Sequence, residues 1–141
     1  MTQNSGRPTV MIVDDYDDVR PLLRRWLENF GCRVVEAAGG REAVEVAKHE
    51  HPDLILMDLF MPEVDGFAAT FRIRKDAELK DVPIVAITAY GELGIDVQLQ
   101  IDPQAVGFND YVPKPFGPEQ LKELLDRFLP KSKSVSGGEA L

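Results

Sequence analysis

The chain has 141 residues, of which 44% are hydrophobic and 28% charged, as expected of one soluble globular domain. Its net charge of −8 disfavours nucleic acid and anionic membrane as partners. No apolar run approaches the roughly 20 residues of a membrane span, residues 1–8 lack the apolar core of a signal peptide, and the single cysteine, Cys32, excludes an internal disulfide. Together these features predict a cytoplasmic protein.

The first half of the chain alternates between two patterns. Residues 9–13 form a short β-branched apolar run typical of a strand. A helix is predicted at residues 19–30, where apolar side chains recur every three to four residues on one face: Val19, Leu22, Leu23, Trp26, Leu27 and Phe30. Residues 33–37 then predict a weak strand, residues 41–49 a helix, and residues 53–57 an apolar strand covered on both faces.

The second half continues this alternation with one interruption. Residues 66–75 predict a helix, residues 82–87 a strand, Tyr111 and Val112 a fifth strand, and residues 118–129 a last helix. Within residues 91–107, Asp102 and Pro103 could cap a short helix that ends near Gly107, but Gly94 and residues 95–101 fit no period well, so we expect an irregular fourth helix there. Residues 1–8 and 130–141 are predicted to be flexible. This leaves residues 9–129 as the folded domain, and no output domain is expected to follow it.

Strands that alternate with helices predict an α/β fold of the doubly wound type, a (βα)5 sandwich with a five-stranded parallel sheet and helices on both faces. Ligands of such sheets gather beyond the carboxyl ends of the strands. The residues at these ends are Asp14 and Asp15 after strand one, Asp58 after strand three, Thr88 after strand four and Lys114 after strand five. Each alone reads as a cap, a turn residue or a surface charge, and only their joint placement indicates a site.

Four short motifs contain these residues: VDD at 13–15, Asp58 followed by MPEVDG at 61–66, ITA at 87–89 and YVPKPF at 111–116. In this order they are highly specific, and the chain from about residue 9 to 129 resembles the response-regulator receiver family. The resemblance implies the strand order 2-1-3-4-5, which is the known order of this class of signalling protein. The alternation of strands and helices does not by itself establish that order. In it, strands one and three are neighbours.

Three carboxylates would then share one small pocket. Because like charges this close disfavour joint ionisation, the pocket calls for a hard divalent cation such as Mg²⁺. The resemblance implies that Asp58 accepts the phosphoryl group. It also implies that Asp14, Asp15 and Asp58 bind the Mg²⁺ together with the main-chain carbonyl of Phe60, with Asp15 the more direct ligand of the first two.

The remaining motif residues are expected to bind the phosphoryl group or to change position when it is present. Lys114 would supply a positive charge for the phosphoryl oxygens, and the Thr88 hydroxyl would follow them by hydrogen bonding. The resemblance implies that Thr88 and Tyr111 form a switch pair, although Tyr111 could also be an ordinary core residue. It further implies a cis peptide bond between Lys114 and Pro115.

The expected function is that of a stand-alone receiver that takes phosphate from a sensor histidine kinase or a phosphotransfer protein. Its signal would pass to a downstream protein through a surface that we name the output face, formed by the fourth helix, strand five and the last helix. Beyond its own phosphorylation and dephosphorylation it is not expected to be an enzyme. Whether it forms a homodimer is left open.

Two departures from the family pattern carry hypotheses of their own. Phe60 and Tyr90, two residues after Asp58 and Thr88, place bulky groups beside the expected path of the hydrolytic water, which predicts slow self-dephosphorylation. The stretch from Thr88 to Lys114 is also a few residues longer than is common in the family. The fourth helix is therefore expected to be short, displaced or disordered, with an unusual partner or dimer mode.

Three other functions compete with this interpretation. A phosphatase or phosphotransferase with an aspartyl-phosphate intermediate usually needs a second acid two residues after the nucleophile, where this chain has Phe60. A flavin-binding module would need a phosphate-cradling loop after strand one, where the four aspartates among residues 14–18 would repel phosphate. The main alternative is a receiver-like interaction module that is not phosphorylated, against which the complete set of acids, threonine and lysine argues.

Overall fold

The computed structural model describes residues 7–14, 19–58, 66–89, 107–114 and 117–129, and for residues 19, 20, 66, 67, 88, 89, 111, 113 and 114 it describes the backbone alone. The strands are β1 (Thr9–Val13), β2 (Arg33–Ala37), β3 (Leu54–Asp58), β4 (Ile84–Ala89) and β5 (Asp110–Lys114). The helices are α1 (Val19–Asn29), α2 (Gly40–Glu50), α3 (Gly66–Lys75) and α4 (Pro118–Phe128).

The strands form one parallel sheet of order β2-β1-β3-β4-β5. This is the order that the family resemblance implies, and the predicted parallel, doubly wound α/β fold is confirmed. β1 and β3 are neighbours at the centre, with Val13 paired to Met57, and β3 pairs Asp58 with Ile87 of β4. The carboxyl ends of these strands therefore meet at one edge of the sheet.

Helices cover both faces of this sheet because the central strands are apolar on both sides. On one face, α2 and α3 bury Ala43, Ala47 and Ile73 against β1 and β3. On the other face, α1 and α4 bury Leu27 and Leu121 against the alternate residues of the same strands. Every residue of β1 and of β3 is buried, so the residues at their ends are held by a rigid framework.

The predicted apolar stripe of α1 is wrong at one position. Leu22 was expected on the buried face, but its side chain is 47% exposed, whereas Leu23 and Leu27 are 2% and 0% exposed. Leu23 and Leu27 are four residues apart and lie on one line along the helix, while Leu22 is rotated by about 100° from Leu23. The spacing of the apolar residues in the sequence does not show whether the side of the helix with Leu22 or the side with Leu23 and Leu27 is buried.

The predicted edges of β3 and β4 also shift. β4 begins at Ile84 and not at Val82, because Pro83 has no N–H to donate and joins the sheet only through its carbonyl, which accepts the N–H of Ile55 at 2.9 Å. The N–H of Asp53 still donates to the carbonyl of Thr9 at 2.7 Å, one residue before β3 begins.

Several predicted segments fall outside the described residues. These are the irregular fourth helix at 91–107, except Gly107, and the predicted flexible ends, except Arg7 and Pro8. The carbonyl of Pro8 accepts the N–H of Arg33 at 2.8 Å, which extends the β1–β2 pairing by one residue. None of the helices described has the length and apolar character needed to cross a membrane.

Candidate functional site

Two acidic side chains are buried side by side at the carboxyl edge of the sheet. Asp14 follows β1 directly and is 1% exposed, and Asp58 is the last residue of β3 and is 3% exposed. Because Val13 pairs with Met57, the two acids end neighbouring strands, which lie about 4.8 Å apart in a sheet. The main chain of Asp14 is also fixed, since its N–H donates to the carbonyl of Ala37 at 3.2 Å.

The chemistry of this pair fits a hard divalent cation. Carboxylate oxygens are the ligands that Mg²⁺ prefers, and two neighbouring buried carboxylates are costly to ionise together without a cation. The third predicted acid, Asp15, and the predicted carbonyl ligand of Phe60 lie outside the described residues. Among the residues that are described, no group of three His, Cys, Asp or Glu side chains is placed to hold a metal ion.

The backbone continues this edge across the next two strands. Asp58 pairs with Ile87, so Thr88 comes next at the same end of β4, and Lys114 ends β5, where it pairs with Ala89. Tyr111 pairs with Ala86, three residues back from Lys114 on β5. The fold thus brings the strand ends that bear Asp14, Asp58, Thr88 and Lys114 to one edge of the sheet. The side chains of Thr88, Tyr111 and Lys114 lie outside what is described, so their predicted roles stay predictions.

An arginine that no sequence motif indicated lies at the opposite edge of the sheet, where β4 and β5 begin. The Nε and Nη2 atoms of Arg74 donate to the carbonyl of Gly107 at 2.9 and 2.7 Å. Its Nη1 atom donates to the carbonyls of Lys80 and Val82 at 2.9 and 2.7 Å. One half-buried side chain of α3 therefore holds both the loop that leads into β4 and the turn that leads into β5. Burial lowers the pKa of this guanidinium, and the nearby Asp81 opposes that shift.

Asn109 completes the same anchor. Its Oδ1 atom accepts the N–H of Ile84 at 2.8 Å and the Nη2 atom of Arg74 at 3.0 Å, and its own N–H donates to the carbonyl of Ile84 at 2.8 Å. The start of β5 is thereby locked beside the start of β4. An Asn directly before a strand gave no signal of this role, because its partners are distant in the sequence. Arg127 of α4 forms an ion pair with the next residue, Asp110.

Cys32 is not a second chemical centre. Burial raises the pKa of its thiol to about 12, so almost none of the nucleophilic thiolate exists near neutral pH. The side chain is 0% exposed and packs in the apolar layer beneath α1. Cys32 precedes β2 by one position.

Comparison with known proteins agrees with this geometry. The family model of the response regulator receiver domain matches residues 10–126. The polar-differentiation response regulator DivK of Brucella ovis is 33% identical over 121 residues, which covers 86% of this chain and 95% of that protein. The receiver domain of the sensor histidine kinase PA1611 of Pseudomonas aeruginosa superposes with a TM-score of 0.77 at 34% identity, covering 86% of this chain and 97% of that one. That crystal structure has a magnesium ion coordinated in its active site cleft.

Other relatives are longer than this chain. The probable transcriptional regulator ycf27 of Porphyridium aerugineum is 34% identical over 132 residues, which is 94% of this chain but 52% of that protein. The chain thus spans about half the length of several curated relatives that it matches.

Proposed function

Because the chain belongs to the response regulator receiver family, we propose that it is a phosphorylation switch in which Asp58 accepts a phosphoryl group. The observation that carries this proposal is the buried pair of Asp14 and Asp58 at the ends of adjacent strands. Asp58 is 3% exposed and ends a strand at the opening of a doubly wound sheet, which is where such folds bind ligands.

The reaction proposed is a transfer between two proteins. A carboxylate oxygen of Asp58 attacks the phosphorus of a phosphohistidine on a sensor kinase or phosphotransfer protein. The P–N bond breaks, an acyl phosphate forms on Asp58, and the histidine nitrogen leaves with the bonding electron pair and takes up a proton. This transfer needs positioning and charge neutralisation more than covalent chemistry from the protein.

The residues that would hold Mg²⁺ are Asp14, Asp15 and Asp58 together with the carbonyl of Phe60. When bound there, the ion would offset the charge that the phosphoryl oxygens bring to a pocket that is already acidic. We propose that the Lys114 ammonium binds those oxygens from the β5 side and that the Thr88 hydroxyl donates a hydrogen bond to one of them. Both roles agree with the sheet order, in which β4 lies beside the strand of Asp58 and β5 lies beside β4.

The output is proposed to be a shift between two conformations. The acyl phosphate would favour the state in which Thr88 has moved toward it and Tyr111 has rotated, and only this difference in interaction can drive the change. Two parts of the output face are described: strand β5 and the last helix, α4. The ion pair of Asp110 with Arg127 joins them. A downstream protein would bind this face. We propose no separate substrate, since the chemistry ends with the protein's own acyl phosphate and its hydrolysis.

The alternative is a module of the same fold that binds a partner without phosphorylation. In that case Asp14 and Asp58 would form a structural ion site. The two functions differ in whether Asp58 gains phosphorus from a small phosphate donor.

Intact mass spectrometry after incubation with acetyl phosphate or phosphoramidate and Mg²⁺ tests the proposal. The wild type should gain one phosphoryl group, Asp58→Asn should gain none, and a chelator should prevent the gain. Asp126→Asn removes an exposed acid of α4 and serves as the matched control that keeps the gain. No gain in the wild type with either donor would favour the non-phosphorylated module, and an equal gain in Asp58→Asn would place the acceptor elsewhere.

A further inference from the structure

Phe71 is an aromatic side chain on the outer surface of α3. It is 61% exposed, whereas Ala69 and Ile73 of the same helix are 0% exposed and face the core. The ammonium of Lys75 lies 4.8 Å from the centre of the Phe71 ring. Such a cation–π contact between residues four apart holds the ring against the helix surface. The ring is therefore presented to solvent in an ordered position.

Phe71 lines an open groove of about 450 Å³ between α2 and α3. Four basic side chains surround the groove: Arg41, Lys48, Arg72 and Lys75. All four are exposed, and none of them forms an ion pair with a residue that the structure describes.

Two acidic residues, Glu45 and Asp76, also line the groove, which leaves it with a local charge of +2 in a chain whose net charge is −8. Asp76 is already engaged, because its Oδ1 atom accepts the N–H of Glu78 at 2.9 Å. The groove is thus a positively charged surface on an acidic protein.

Helix electrostatics account for part of this arrangement. Lys48, Arg72 and Lys75 lie in the last turns of α2 and α3, where cations complement the negative end of the helix dipole. Arg41 does not fit that account, because it lies in the first turn of α2, where the dipole disfavours a cation. The exposed ring of Phe71 does not fit it either, since burying an aromatic side chain would be more favourable.

We infer that this groove binds an acidic segment of a partner protein that carries an apolar side chain for Phe71. Charge complementarity selects this occupant. Exposed charges act over about 8 Å at physiological ionic strength, so a narrow peptide in the groove interacts with its local cations and less with the rest of the chain. A flat anionic membrane or a DNA duplex covers a larger area and would meet more of a chain whose net charge is −8, which repels it. The groove is lined by residues of α2 and α3, so it shares no residue with the output face.

Selection of a random-peptide library on the purified wild-type chain tests this inference. The selected peptides should be enriched in Asp and Glu around an aromatic or aliphatic residue. Their affinities, measured by fluorescence anisotropy on synthesised peptides, should fall as NaCl is raised. Phe71→Ala and Arg72→Glu should each weaken binding by about tenfold or more, as expected of a central apolar contact and of a reversed charge.

Two matched controls separate this groove from general surface effects. Leu22→Ala removes an exposed apolar side chain of α1, and Arg25→Glu reverses an exposed charge of the same helix. Both should bind the peptides like the wild type. Asp58→Asn should also bind them, since the inference does not depend on phosphorylation. Loss of phosphoryl acceptance would therefore leave this inference intact.

Three results would overturn it. The first is a selection without acidic enrichment, or one whose peptides bind Phe71→Ala as tightly as the wild type. The second is self-association of the wild type that Phe71→Ala abolishes, which would assign the groove to a second copy of this chain. The third is binding to phosphatidylserine vesicles that Arg72→Glu abolishes, which would assign it to a membrane surface.

Discussion

Gly107 packs so closely against Thr70 of α3 that a Cβ atom built on it would lie 3.0 Å from Thr70 Cγ2 and 3.3 Å from Arg74 Cγ. Its φ of +102° is also one that other residues rarely adopt. Both features occur where the chain turns into β5, and they join α3 to the strand that ends in Lys114. The turn that aligns β5 therefore depends on the absence of a side chain.

We predict that Gly107→Ala destabilises the protein by about 1–3 kcal/mol, because the substitution adds both backbone strain and a steric contact. Urea unfolding followed by circular dichroism measures the change. Gly39→Ala is the control: Gly39 has an extended φ of −169° and nothing within 4 Å of an added Cβ. A loss at Gly107 no greater than at Gly39 would mean that the contact with Thr70 relaxes freely.

Arg74→Ala should lower the free energy of unfolding by about 2 kcal/mol or more, because it leaves the carbonyls of Gly107, Lys80 and Val82 without these donors. Arg74→Lys should recover only part of this loss, since an ammonium cannot reproduce the planar fork of donors. Arg72 is an exposed residue of the same helix, and Arg72→Ala should change the free energy of unfolding by less than about 0.5 kcal/mol. Equal losses in Arg74→Ala and Arg72→Ala would contradict the anchoring role.

Mg²⁺ should raise the melting temperature of the wild type, because a ligand that binds only the folded state stabilises it. The gain is about 2.7 kcal/mol at a free concentration one hundred times Kd. Asp14→Asn should reduce this gain by removing a buried carboxylate of the site, and Asp126→Asn should retain it. Differential scanning fluorimetry with MgCl₂ and with a chelator measures both. An unchanged Mg²⁺ response in Asp14→Asn would remove Asp14 from the ligand set.

The thiol of Cys32 should make stability fall at alkaline pH. Its pKa is raised in the folded state from 9.0 to about 12, so above pH 9 the unfolded chain loses this proton while the folded chain keeps it. Unfolding then releases a proton, and the free energy of unfolding declines with rising pH by up to about 1.4 kcal/mol per unit between pH 9 and 12. Cys32→Ala should lack this part of the slope in urea unfolding at pH 8, 9 and 10. Parallel pH profiles of the two proteins would refute it.

The acyl phosphate should hydrolyse slowly in the wild type and faster in Phe60→Asn and Tyr90→Glu, since smaller or polar groups admit and orient water. A barrier lowered by about 1.4 kcal/mol would give about tenfold faster loss. Time-resolved intact mass after removal of the donor measures the rates. Rapid loss in the wild type that neither substitution alters would reject this account of the phosphate lifetime, and Asp126→Asn should match the wild type.

Local sequence patterns were enough to predict the element types and the strand ends. A run such as residues 54–58 is apolar throughout because β3 is covered on both faces, and the acid that ends it marks the edge of the sheet. Parallel strands bring their carboxyl ends together, so the approach of Asp14 to Asp58 follows once β1 and β3 are known to be neighbours. That β1 and β3 are adjacent was implied by the family resemblance, and the local sequence pattern did not predict it.

Only the tertiary structure decided which surfaces remain exposed and which distant groups meet. Leu22 and Phe71 sit among apolar residues at helical spacing, yet both are exposed, because the rotation of a helix on the sheet is set by packing and not by its own sequence. Arg74 donates a hydrogen bond to the carbonyl of Gly107, which is 33 residues away in the sequence. No local periodicity predicts such a contact. The sequence by itself therefore determined the layers of the fold and the acids at its edge. The folded chain determined the anchor at Arg74 and the basic groove around Phe71, because both arise where elements distant in the sequence pack together.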